Sequence, residues 1–305
     1  MAEGPRCSAW ARNEHVEPIG TAGSYAGFVL VEWPLPWPKD IGTVPELEPL
    51  AAECTRAGLR LQGLVPASPD EAVGRTILYR CPDPDWFAGY ARVEREVPAD
   101  GLPVAAVELV ATGSGDAGPA GQAITDDVLV CTHGKRDMCC GSRGTALAGE
   151  LAEDPAFGGP VRLWRTSHTG GHRFAPTAIV LPQGTVWAFL DADALRRITL
   201  RQGSLDDLLP RYRGCAGVGP AAVQALERGA FGEIGWDWLD WRRRGSVDEG
   251  GGVRLEAVSP TGETATWTAR AVSGRTLPVP VCGQPIDGTE KTETEISVEA
   301  VQRAS

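Results

Sequence analysis

Three of the chain's eight cysteines, Cys131, Cys139 and Cys140, fall within ten residues, and three of its four histidines, His133, His168 and His172, fall in the same region, between 133 and 172. Only His15 lies elsewhere. Two pairs stand out, Cys131-x8-Cys140 and His168-x3-His172. For thiol and imidazole groups from separate loops to act together, those loops must open on one edge of a common layer, and the flanking pattern supplies it. Asp127-Val-Leu-Val130 reads as a buried strand ending on Cys131, and residues 143–153 read as a helix with Leu147 and Leu151 on one face. Residues 161–166 read as the next strand, which runs into the turn Ser167-His-Thr-Gly-Gly-His172. Residues 177–181 and 185–190 form a hairpin about Pro-Gln-Gly, and Asp191 or Asp193 caps a helix over 194–200. This is a β-α-β-β-α module whose cysteines and histidines sit at its loops.

Around it the chain divides into further pieces. Upstream, Phe28-Val-Leu-Val-Glu-Trp33 reads as a strand, and Pro45 opens a helix with Leu47, Leu50, Ala51 and Cys54 at helical spacing, stopping at Gly58. Strands follow at 59–65, 76–80 and 91–97. A Gly/Ala/Ser-rich stretch over 111–122 lacks the Gly-Lys-Ser/Thr ending of a phosphate loop and reads as a linker. Downstream, Pro220 opens a short helix to Arg228, a Trp-rich stretch covers 235–241, and 253–273 reads as a hairpin turned at Pro260-Thr-Gly262. The expected organisation is an N-terminal β-α-β-β domain over 1–110, the linker over 111–122, the β-α-β-β-α domain over 123–229, and a β-rich segment over 230–305. The last segment reads as a cover without chemistry of its own. The fold class is α/β.

Net charge is −11, which disfavours nucleic acid and anionic membrane surfaces as partners. No apolar run approaches the length of a membrane span, and Met-Ala-Glu-Gly-Pro-Arg lacks the layout of a signal peptide, so the cytoplasm is the expected location. Five singly scattered cysteines do not make the framework of a small secreted disulfide protein.

Two thiolates and two imidazoles suit zinc as well as an iron–sulfur centre, although Cys-x8-Cys is loose for a zinc knuckle. The segment 127–190 resembles the thioredoxin-like [2Fe–2S] ferredoxins. In these a strand ends on one cysteine, a second opens the helix, and a Cys-x3-Cys turn supplies the other pair. Cys140-Gly-Ser-Arg-Gly-Thr145 resembles the helix-opening motif, which favours Cys140 over Cys139. His168-Thr-Gly-Gly-His172-Arg-Phe-Ala-Pro176, with Val180-Leu-Pro-Gln-Gly184, resembles the turn and its continuation with both cysteines replaced by histidine. That replacement, together with Cys131-Thr-His-Gly-Lys-Arg-Asp137, resembles a narrower group, the sucrase/ferredoxin-like proteins, which includes a yeast actin-patch-associated member with bis-histidine ligation. Cys7-Ser8, Gly20-Thr-Ala22 and Tyr212-Arg-Gly214 resemble it too, so the likeness runs over residues 5–230.

The resemblance implies a thioredoxin-like ferredoxin domain carrying one [2Fe–2S] cluster on Cys131, Cys140, His168 and His172. It implies an electron carrier, rather than a catalyst, that serves redox partner proteins. "Sucrase" carries little weight, since no paired carboxylates stand in a glycosidase context. Two neutral imidazoles in place of two thiolates raise the net charge of the centre, and so its potential. Rieske centres span roughly −150 to +300 mV against about −400 mV for plant-type ferredoxins. Each ligating imidazole keeps one N–H, so the potential is expected to fall with rising pH, with the proton leaving through the turn at 169–171. Lys135, Arg136, Arg143, Arg165 and Arg173 lie near the ligands and are placed to dock an acidic partner. Two alternatives stay open: a thiol oxidoreductase, for which vicinal Cys139-Cys140 lacks the Cys-x-x-Cys geometry, and a structural zinc module on the same four side chains. Cys139 reads as a bystander, and His133 as an ordinary loop residue or a hydrogen-bond donor to a sulfur. Cys54 and Cys81 read as packing residues, Trp164 and Trp187 as core, while Cys7, Cys215 and Cys282 have no assigned role.

Overall fold

The computed structural model describes residues 6–66, 73–115, 125–286 and 289–304. After a short helix, α1 (Cys7–Asn13), the chain enters β1 (Gly27–Glu32), all of whose residues are buried. A strand buried on both faces needs cover on both. Val29 and Val31 cluster with Leu50 and Leu102 of helices α2 (Glu48–Arg56) and α3 (Leu102–Thr112), whereas Phe28 and Leu30 join a larger core. β2 (Leu59–Leu64) lies parallel to β1, β3 (Val73–Arg80) lies antiparallel on its other side, and β4 (Ala91–Pro98) pairs with β3.

The same order then repeats. β5 (Asp126–Cys131) is flanked by parallel β6 (Val161–Thr166) and antiparallel β7 (Ala178–Leu181), and β7 pairs with β8 (Thr185–Trp187). Helix α4 (Thr145–Leu151) carries the crossover from β5 to β6, as α2 does from β1 to β2. Helix α5 (Ala192–Leu200) follows β8, and the Asp191 carboxylate caps it by accepting from the Ala194 N–H at 2.8 Å. The two units join where the Val65 N–H donates to the Arg165 carbonyl at 2.9 Å and the Ser167 N–H to that of Gly63 at 2.8 Å. The result is a nine-stranded mixed sheet in the order β4-β3-β1-β2-β6-β5-β7-β8-β9, with β9 (Tyr212–Cys215) at the far edge. Phe28, Ile77 and Tyr79 of the first unit and Val128, Val130 and Trp164 of the second share one core. Trp187 is fully buried there as well.

Helix α6 (Ala221–Ile234) runs well beyond the expected end at Arg228, because Ala230 and Phe231 remain buried past Gly229. It carries a separate antiparallel sheet of four strands: β10 (Arg242–Val247), β11 (Gly252–Val258), β12 (Thr264–Pro278) and β13 (Thr292–Ala304). Strands β12 and β13 pair as far as Pro278 and Thr292, and the connection between them reaches the cysteine-rich loops. Helix α3 was not expected. Its buried positions, Leu102, Ala105, Ala106, Leu109 and Val110, do recur at helical spacing. However, a Val/Ala/Leu-rich run whose one charge is Glu108 carries little amphipathic contrast, and its last two residues merge into the Gly-rich stretch. Residues 116–122 of the expected linker lie outside the described residues. Among the described residues no helix is long and apolar enough to cross a membrane.

A buried ion pair pins the two sheets together. The Arg243 Nε of β10 donates to Glu227 Oε1 of α6 at 2.9 Å, and the Tyr212 hydroxyl of β9 donates to Oε2 at 2.9 Å. None of the three is more than 1 % exposed. Removing one partner of such a pair leaves a buried charge uncompensated. Arg243→Met should therefore lose about 3–5 kcal/mol in a urea unfolding titration, and Arg243→Met with Glu227→Met should lose less. A single-variant loss no greater than that of an exposed pair would mean that this ion pair does not hold the sheets together.

Candidate metal centre

Cys131 ends β5, and Cys140 lies in the first turn of the helix that continues into α4. That turn, Cys140–Gly144, is a π-helical turn, a form that recurs at functional sites. A side-chain carbon on Gly144 would stand 1.9 Å from the Cys131 carbonyl oxygen, so glycine lets the helix start rest on the strand end. His168 and His172 stand on the turn after β6, in which Gly170 and Gly171 have φ of 86° and 65°. Arg213 holds this turn from beneath. Its Nη1 donates to the Gly170 carbonyl at 3.1 Å, its Nε to Thr21 Oγ1 at 2.9 Å, and its Nη2 to the Thr21 carbonyl at 2.6 Å. Full burial pushes this guanidinium down to about 10. The motif fragments Gly20-Thr-Ala22 and Tyr212-Arg-Gly214, distant in sequence, thus meet under the histidine turn.

The donor atoms of Cys131, Cys140 and His168 lie within 4.8 Å of one another. His168 Nδ1 is buried without a hydrogen-bond partner. The His172 ring stands further out, its centre 6.1 Å from that of His168. His172 Nδ1 lies 3.2 Å from Asp137 Oδ2 and 3.6 Å from Cys7 Sγ, which leaves Nε2 as the nitrogen free to ligate. Three of the four expected residues therefore come together, and His172 stands beside them without joining that group of donors. The cysteines are fully buried and the histidines only partly. A hydrogen bond from Cys140 outweighs burial and, with His168, holds the Cys131 thiol well below its ordinary value; Cys140, the donor of that bond, is pushed well up.

A second cluster adjoins the first. Cys139 Sγ lies 3.0 Å from Cys282 Sγ, which lies 3.3 Å from Cys7 Sγ, and Asp137 Oδ1 is 3.2 Å from Cys282 Sγ and 3.4 Å from Cys7 Sγ. Burial alone would raise the Asp137 carboxyl, but bonds from His172, the Cys139 N–H and Cys282 hold it well below the usual carboxylate range. Sequence reasoning missed this group. Asp137 and Cys7 each sat inside a motif fragment that could have drawn attention to them, whereas Cys282 carried no local signal. Cys54 and Cys215, both buried and pushed up to about 12 chiefly by burial, are packing residues. Cys81 is partly exposed, with its thiol donating to the Asp83 carbonyl at 3.0 Å. The His133 ring meets Trp37 edge-on at 5.6 Å, and burial lowers its pKa.

Two clefts of about 570 and 520 Å³ open beside His168 and Gly170, with Lys39 and Arg136 on both and Arg60 on the first. Lys135, Arg143 and Arg165 are exposed, but Arg173 is buried and donates to Glu293 at 2.9 Å, so it presents no free charge. With this geometry in place, the match of residues 18–214 to the family model described as sucrase/ferredoxin-like decides the family. The chain belongs to the sucrase/ferredoxin-like family. The matched residues run from before β1 to β9 and contain Cys131, Cys140, His168 and His172. A curated protein of Meyerozyma guilliermondii, altered inheritance of mitochondria protein 32, is 31% identical over 103 residues. The aligned part makes up 30% of this chain and 36% of that relative, so the chain spans about a third of the relative's length. No solved structure matches.

The contact at Gly144 makes metal uptake sensitive to a single methyl group. Gly144→Ala should push Cys140 away from Cys131 and lower both the metal bound per chain and the melting temperature. Gly149→Ala, where a side-chain carbon meets nothing within 4 Å, should change neither. Equal metal content in the two variants, measured by elemental analysis, would show that the close approach does not place the donors.

Proposed function

We propose that this member of the family carries one [2Fe–2S] cluster on Cys131, Cys140, His168 and His172 and transfers electrons between partner proteins in the cytoplasm. The observation that carries this reading is the meeting of Cys131, Cys140 and His168, whose donor atoms lie within 4.8 Å of one another, with the His172 ring centred 6.1 Å from that of His168. Two thiolates and two imidazoles are a donor set that a two-iron centre takes, and the ferredoxin-like family favours iron over zinc here. The unpartnered His168 Nδ1 fits the same centre, because a buried nitrogen without a hydrogen bond is unfavourable unless something ligates it. The strand order β6-β5-β7-β8, with the donors at the end of β5 and the start of the following helix, supports a thioredoxin-like ferredoxin unit.

The cluster, when bound, supplies a one-electron couple. The protein supplies its surroundings. The two cysteines anchor it where water is excluded, and Asp137 fixes the His172 tautomer through Nδ1. The imidazoles form the edge nearest solvent, with the His172 side chain 15% exposed, and that edge is the route for electrons to a partner. Lys39, Arg60 and Arg136 along it, in a chain of net charge −11, favour an acidic docking surface.

A visible absorption spectrum with an iron assay on freshly purified protein tests the reading. A red-brown solution with two irons per chain is expected, and Cys131→Ala or Cys140→Ala should abolish the colour. Cys139→Ala should leave it nearly unchanged. A colourless protein with zinc on these four residues would replace this reading with the structural-zinc one. In a fully loaded His168→Cys, His172→Cys variant the potential should fall, because two added thiolates make the centre more negative. An equal or higher potential would remove the electrostatic argument. In the wild type the imidazole N–H groups should make the potential fall with rising pH, approaching about −59 mV per pH unit, since reduction strengthens proton binding. A flat potential from roughly pH 5 to 10 would argue against histidine ligation.

A further inference from the structure

We propose that Cys7, Cys139, Cys282 and Asp137 form a second metal site, distinct from the first, that takes a thiophilic divalent cation of the zinc class. The four donors come from separate parts of the chain: the first residue of α1, the start of the helix after β5, and the connection between β12 and β13. All are buried, with Cys7 and Cys139 at 0%, Asp137 at 4% and Cys282 at 9% exposure. One donor atom from each lies within 4.8 Å of all the others. Three sulfurs and a carboxylate oxygen are a complete tetrahedral set for zinc, and thiolates select that cation over magnesium or calcium.

Packing and hydrogen bonding favour a cation over the alternatives. A disulfide would pair two sulfurs and leave the third thiol and the carboxylate buried beside it. The Sγ–Sγ separations of 3.0 and 3.3 Å are too close for sulfurs spread around a multi-iron cluster. They need to open by about 0.5–0.8 Å to reach the roughly 3.8 Å that a tetrahedron with 2.3 Å zinc–sulfur bonds requires. Backbone donors already point at the ligand atoms. The Cys7 N–H donates to Cys282 Sγ at 3.3 Å, the Cys139 N–H to Asp137 Oδ1 at 2.8 Å, and the Cys282 N–H to Asp137 Oδ2 at 3.3 Å. Such donors orient and stabilise anionic metal ligands. Binding involves no redox step: the cation enters and the remaining thiol protons leave to solvent. The ion would clamp both ends of the chain onto the loop that carries Cys140. It shares no donor with the proposed cluster, so the inference stands or falls independently of that reading.

Elemental analysis of the full-length chain as purified tests the proposal. Cys7→Ser with Cys282→Ser should remove one equivalent of zinc and leave the metal at Cys131 and Cys140, and any visible colour, in place. Cys131→Ala with Cys140→Ala should do the reverse, and Cys81→Ser should change neither. If the first site itself holds zinc, each double variant should fall from two equivalents to one, so failure of the cluster reading and failure of this one remain distinct. Should Cys7→Ser with Cys282→Ser not fold, wild-type protein produced in cobalt-supplemented medium should show thiolate-to-cobalt charge transfer and tetrahedral d–d bands, and their absence would overturn the proposal. So would equal zinc in wild type and a folded Cys7→Ser, Cys282→Ser variant. Non-reduced peptide mapping of fresh protein that joins Cys139 to Cys282 would overturn it as well.

Discussion

A single buried carboxylate organises the part of this protein that matters most. Asp137 accepts the Cys139 N–H at the start of a helix, the Cys282 N–H from the far end of the chain, the thiols of Cys7 and Cys282, and faces His172 Nδ1 at 3.2 Å. Two of these groups, Cys7 and Cys282, belong to short or irregular segments. Helix α1 has seven residues, and among the described residues the connection between β12 and β13 has no long element of its own. A buried charge is tolerated only when its surroundings satisfy it fully, and satisfying this one draws four segments to a point.

The parts legible in the sequence were those where local pattern and tertiary role agree. Strands β1 and β5 carry short apolar runs bounded by turns, β2 and β6 mix apolar and polar residues between turns, and Asp191 caps α5 as its position suggested. The nearness of Cys131, Cys140 and His168 was legible because all three sit at element ends, where side chains from separate loops reach one edge of the sheet. The rest depended on contacts that no local window contains. Helix α3 has buried apolar residues but too little polar contrast to announce itself. Arg213 reads as an ordinary charge in sequence; only the fold shows it buried and bonded to Thr21 and Gly170. Cys282 looked like a stray cysteine in a β-rich cover, because its partners are Cys7 and Cys139, both well over a hundred residues away.

The architecture is a repeat put to unequal use. Both units run strand, helix, strand, two antiparallel strands and helix, in the same lateral order, and they join at β2 and β6. The first unit covers the second and lends it Thr21, Lys39 and Arg60, while the second holds the donors. A shared core between them means that the first unit acts as a wall of the site, and one side of the cleft that Arg60 lines comes from it.

The position of Cys282 has a consequence for how the protein matures on the ribosome. The residues that form the first donor set are all synthesised once His172 has emerged, but the connection that closes over them arrives about a hundred residues later. At about 5–20 residues per second, that leaves an interval on the order of 5–20 s in which the nascent pocket stands open. Val279, Val281 and Gln284, which line the cleft beside His168 and His172, are then not yet in place. For the proposed cluster, that order of synthesis would place its easiest entry before the C-terminal ribbon folds back.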